Sequence, residues 1–98
     1  MSKVGTWTFL TNHAHVLITV ARDPGIRLRD IASAVGITER TAQQIVSDLV
    51  EGGYLRREKD GRRNTYQCVS DLPLRHPVES DHAVGELLAA LGADRSRG

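Results

Sequence analysis

Apolar and polar positions along the chain fall into helix-like and strand-like stretches separated by turn residues. Asp23-Pro24-Gly25, Gly36, Gly52-Gly53, Asp60-Gly61 and Leu72-Pro73 are the breaks. In the first stretch, residues 11–23, Leu10, Ala14, Val16, Leu17, Ile18, Val20 and Ala21 cover more than half of a helical circumference. Asn12, His15, Thr19 and Arg22 take the rest. So wide an arc exceeds the needs of one small core, and it predicts a helix that packs on its own domain and on a partner chain. Pro24 ends it.

Leu28, Ile31, Ala32 and Val35 follow at helical spacing and predict a short helix over 29–35, with no capping residue before it and Gly36 as its exit. Thr38 then caps a helix over 39–51, whose buried stripe is Ala42, Ile45, Val46 and Leu49. Residues 54–59 and 65–69 lean towards strand, and the Asp-Gly between them predicts a hairpin with a tip over 60–64. Ile26 to Leu28 would add a third short strand at its edge. Prolines keep 72–77 extended, and Ser80 or Asp81 would cap a last helix over 78–91 with Val84, Leu87, Leu88 and Leu91 on one face. The expected fold is mainly α with a small β-hairpin (α+β), in the order α-(β)-α-α-β-β-α. It forms a single domain over 1–98, with an arm at 1–10 and a frayed tail at 92–98.

Composition narrows the classes. With 98 residues, 40% hydrophobic and 26% charged, the chain has the balance of one soluble globular domain. No apolar run approaches the about 18–20 residues of a membrane span, and no basic-then-apolar leader opens the chain. Cys68 stands alone, which removes an internal disulfide and a cysteine-based zinc knuckle. A cytoplasmic protein is expected. Aromatic content of 4% in so short a chain predicts a thin core and recovery of burial by dimerisation. Charge is uneven: residues 54–69 carry a net +3, residues 71–94 a net −4. One end therefore suits a polyanion and the other repels it.

Two helices joined by a tight glycine turn, with a basic hairpin after the second, make the winged helix-turn-helix plan. Ala32 allows close helix approach, Gly36 the sharp turn, and Ile37, Ala42 and Ile45 fill the angle between the helices. Residues 26–68 resemble the winged-helix domain of MarR- and ArsR-type bacterial transcriptional regulators. Ala32, Gly36, Ile37 and Thr38 match the turn, Leu49, Gly53, Tyr54 and Leu55 the entry to the hairpin, and Asp60, Gly61 and Arg62 the wing. The resemblance implies a homodimer that binds double-stranded DNA, with 39–51 as recognition helix in the major groove and 60–64 on the backbone or minor groove. Dimer contacts would come from the first helix, the last helix and Trp7.

Side-chain chemistry agrees with that role. With Ala42, Ile45, Val46 and Leu49 turned inward, Arg40, Gln43, Gln44 and Ser47 face outward. Arginine suits guanine and glutamine suits adenine, at about 1–3 kcal/mol per bidentate pair. Thr38 would hold a phosphate at the helix start, and Arg62, Arg63 and Asn64 would reach phosphates or the minor groove. Glu39 could accept from cytosine N4 but is expected to screen a neighbour; Arg56 and Arg57 point to opposite faces of their strand, and Arg27 and Arg29 are lesser phosphate candidates.

No phosphate loop, carboxylate pair or Ser/His/Asp set points to an enzyme, and no cofactor is expected. Glu79, Asp81, His82 and Glu86 supply ligand types for a metal-responsive, ArsR-like repressor, but a His/Glu pair one turn apart on a polar face, as His82 and Glu86 are, is usually a solvated pair, and no metal site is assigned. Cys68 is expected to be a half-buried, inert thiol, His13 a core or interface residue, and His15 solvent-facing. Trp7 and Phe9 would anchor the N-terminal arm to the core or a partner. A winged-helix module that binds protein in place of DNA is the remaining reading. No residue pattern names a small-molecule effector.

Overall fold

The computed structural model describes residues 7–93. Helix α1 (Asn12–Arg22) starts where the Thr11 hydroxyl accepts from the Ala14 N–H at 3.2 Å, and ends before Pro24. Helix α2 (Leu28–Val35) has no side-chain cap at its start. It ends at Gly36, whose φ of 86° lies in the left-handed region that a Cβ disfavours. That turn sends the chain into α3 (Glu39–Glu51), capped by Thr38.

The three helices share one core, in which Val16, Val20, Ile31, Val46 and Leu55 are the deepest side chains. Helix α1 touches both α2 and α3, so its wide apolar arc is largely used inside the domain: Val16, Leu17, Ile18, Val20 and Ala21 are all buried.

Strands β1 (Leu55–Asp60) and β2 (Arg63–Cys68) pair antiparallel with Leu55 opposite Cys68 and Asp60 opposite Arg63. The wing therefore turns through only Gly61 and Arg62, tighter than the five-residue tip expected. Gly61 alone takes positive φ (68°), the pattern of a type II′ turn that matches strand twist. Leu55 and Tyr66 bury the inner face of the hairpin on the helices. The third strand does not form: among the described residues the sheet has two strands. Pro24 accepts one bond from the Tyr66 N–H at 3.0 Å but has no N–H to return, and the Arg27 carbonyl is taken by the first turn of α2.

Helix α4 spans Val84–Ala90, shorter than the expected 78–91. Residues 72–74 explain this. Leu74 donates to His82 at 2.9 Å and Val84 donates to Leu72 at 2.8 Å, so residues 82–84 are held extended before a helix can start. The start is Ala83, not Ser80 or Asp81, and Glu86 reaches back to accept from its N–H at 3.0 Å. Val84, Leu88 and Ala93 join the core. Gly92 and Ala93 belong to the helix exit, since the Ala93 N–H donates to Leu88 at 2.8 Å and the residue is wholly buried. The rest of the expected frayed tail, 94–98, lies outside the described residues, as do residues 1–6 of the arm. Among the described residues no helix is long and apolar enough to cross a membrane.

Candidate nucleic-acid interface

Burying Ala42, Ile45, Val46 and Leu49 on one side of α3 forces its other side outward by the 3.6-residue period. Arg40, Gln43 and Gln44 are exposed there and Ser47 is half-buried. Arg40 is exposed, and its guanidinium presents a planar fork of donors suited to two adjacent acceptors.

Thr38 is more committed than the sequence suggests. Its hydroxyl accepts from the Thr41 N–H and donates to the Thr41 hydroxyl, both at 3.0 Å. An anion at this helix start would meet backbone N–H groups and the dipole before the threonine proton.

The wing separates its candidates. Arg62 is in the two-residue turn and exposed, whereas Arg63 and Asn64 lie in β2. The Arg63 guanidinium donates to the Gly25 carbonyl at 3.3 Å and ties the wing to the turn between α1 and α2. Asn64 is exposed opposite Lys59. Arg57 places its guanidinium 5.9 Å from the Tyr66 ring, on the hairpin face that carries Leu55, while Arg56 takes the other face. Arg56 is thus free of this stacking, and both remain exposed.

One contact escaped sequence reasoning. His13 is not a core residue: it is exposed on α1 and its Nε2 lies 2.8 Å from the Asp48 carboxylate on α3. The other Asp48 oxygen accepts from the Gln44 amide at 3.1 Å. The hydrogen bond from His13, then that from Gln44, hold the Asp48 carboxyl below its usual value of 3.8, with a smaller contribution from the Arg75 charge. The spacing of Gln44 and Asp48, one helical turn apart, was the available signal. His15 is half-buried, with Nδ1 3.2 Å from the Asn12 side-chain oxygen.

The acidic end has its own pairing. His82 Nδ1 lies 2.6 Å from Glu86, with Asp81 4.0 Å from the other ring nitrogen. The Glu86 hydrogen bond and charge, then Asp81, raise His82 above 6.5, and bonds from His82 and the Ala83 N–H lower Glu86 below 4.5. Among the described residues, no three His, Cys, Asp or Glu side chains are grouped to hold a metal ion. Cys68 is half-buried and burial pushes its thiol up to about 11.

Trp7 and Phe9 do not anchor to the core of their own chain. They are 68% and 92% exposed and meet each other edge to face at 5.1 Å. Phe9 and Leu10 border a groove of about 740 Å³ with Leu74, Val84 and Leu87, at the α3 end where Asp48 lies.

Residues 8–63 match the MarR family. Among solved structures, the chain is similar to the PcaV transcriptional regulator of Streptomyces coelicolor, solved with its natural ligand. The two are 27% identical, with a TM-score of 0.53 over 61% of this chain and 45% of that one. MepR, a regulator of the Staphylococcus aureus multidrug efflux pump MepA, is 18% identical, with a TM-score of 0.57 over 83% of this chain and 56% of its own. A predicted DNA-binding transcriptional regulator from E. coli is 15% identical, with a TM-score of 0.56 over 81% of this chain and 72% of that one. The last two share the fold. The chain thus spans about half the length of PcaV and MepR. No curated protein matches the sequence.

Proposed function

Since the chain belongs to the MarR family of transcriptional regulators, we propose that it controls transcription by binding a specific double-stranded DNA site as a homodimer, in the bacterial cytoplasm. The observation that carries this reading is the outward face of α3: Arg40, Gln43, Gln44 and Ser47 stand on a helix whose opposite side is fully used by the core. Such a helix fits the major groove, with Arg40 set to read guanine and the glutamines adenine. Arg62 at the wing turn, and Arg63 and Asn64 beside it, supply contacts to phosphate or the minor groove. The backbone at Thr38 supplies an anion seat. Two copies related by a two-fold axis would place their α3 helices about 34–36 Å apart, on half-sites one helical turn from each other. Contacts between copies are proposed at α1, α4 and the exposed Trp7.

The test is fluorescence anisotropy with duplexes selected from a random library. Arg40→Ala should relax preference at one base position, and Arg62→Ala should weaken every duplex alike. Failure of the wild-type chain to prefer any duplex at low salt would refute DNA reading and favour a protein-binding winged helix.

A further inference from the structure

The contact between α1 and α3 bears on how bases are read. We propose that Asp48 is a positioning residue for base recognition: held by His13 from α1, it fixes which edge of the Gln44 amide faces DNA. The inference rests on α3 being the reading helix.

A free glutamine amide can turn over, exchanging its oxygen and nitrogen, and so can offer either pattern to a base. Asp48 removes that choice. An ionised carboxylate only accepts hydrogen bonds, so it takes the Gln44 nitrogen and repels the Gln44 oxygen. The amide has two N–H groups. One is spent on Asp48 at 3.1 Å; the carbonyl and the remaining N–H stay available as an adjacent acceptor and donor. That pair complements the N6 donor and N7 acceptor of adenine.

Asp48 itself must be held for this to work. Its second oxygen accepts from His13 Nε2 at 2.8 Å, so the carboxylate is gripped from a different helix and cannot swing with Gln44. Because a carboxylate only accepts, His13 is the donor of this bond through Nε2, and Arg75 adds an attractive charge from the segment before α4. Asp48 is half-buried and held from α1, while Gln44 is exposed. A simple pair one turn apart on a solvated face would lack the grip from α1.

The experiment is selection of the full chain on a random duplex library, comparing wild type with Gln44→Ala, Asp48→Ala and Asp48→Asn. Gln44→Ala should relax one position of the selected site. Asp48→Ala should relax that same position, lowering base preference there about fivefold, as expected when a side chain regains part of its rotamer freedom. Asp48→Asn offers one oxygen to two donors and can itself turn over, so it should relax the same position and not restore the preference. The proposal is overturned if Asp48→Ala leaves the Gln44-dependent position unchanged, if it weakens all positions equally, or if Gln44→Ala alters none. A wild-type pool with no selected site would instead overturn the reading of α3 on which the proposal rests.

Discussion

Substituting Gly85 by alanine tests whether α4 is docked as described. Gly85 lies in the first turn of α4 with its backbone against Ser70, whose carbonyl accepts from its N–H at 2.9 Å. A methyl group on Gly85 would stand 2.8 Å from both the Cβ and the carbonyl oxygen of Ser70. Neither is the free end of a long side chain, so backbone must move. The neighbouring links, Val84 to Leu72 and Leu74 to His82, would be strained with it. Overpacking of this kind costs about 1–3 kcal/mol. The better helix propensity of alanine offsets up to about 1 kcal/mol, and less in a first turn. A net loss of about 1–2 kcal/mol follows, which in a domain of this size lowers the melting temperature by about 5–10 °C. Thermal unfolding followed by circular dichroism measures it.

Gly25→Ala is the matched control. Its methyl would come 2.9 Å from an Arg63 guanidinium nitrogen, nearly as close, but that atom ends a flexible side chain and can withdraw. The expected change is within about 0.5 kcal/mol. If Gly85→Ala melts at or above the temperature of Gly25→Ala, α4 does not rest on Ser70 and the account of its start is wrong.

Other outcomes follow from the charges and the thiol. Removing Arg62 should reduce the salt dependence of DNA binding by about one unit of slope, read from affinities across a salt series; an unchanged slope would mean that Arg62 touches no phosphate. The raised His82 stabilises the fold below 6.5 and that contribution fades as pH climbs through its shifted value, while the lowered Glu86 stabilises it above 4.5 and fades as pH falls. The pair thus supports the fold most between about pH 4.5 and 6.5, and His82→Gln should flatten the melting temperature across that window; an identical profile would show the exposed pair to be inconsequential. Cys68, with its thiol pushed up to about 11, should react with iodoacetamide at pH 7.5 far more slowly in the folded chain than in denaturant. Equal rates would place it in open solvent.

Helix α3 is legible in the sequence because its signals are local. Thr38 as cap, four apolar residues at helical spacing and a glycine pair after them all act within about one helix length, and α3 runs over Glu39–Glu51 as that pattern predicts. The last helix is shorter than its periodicity predicts because its start depends on residues ten positions earlier: 72–74 hold 82–84 extended, a pairing that no periodicity in 78–91 reveals. His13 lies outside the core for a related reason. A helical wheel ranks faces by their apolar neighbours, whereas a half-buried carboxylate brought by α3 gives this histidine its partner.

The order of elements, the buried stripes of α1, α2 and α3 and the outward Arg40–Ser47 face belong to the sequence alone, since periodicity, capping and turn chemistry act over a few residues. Packing in three dimensions decided the rest. It spent the apolar arc of α1 on its own domain, drew Arg63 to the Gly25 carbonyl, shortened α4 and set Asp48 between His13 and Gln44. Each of these joins residues distant along the chain, and only a closed core brings such groups within hydrogen-bond reach.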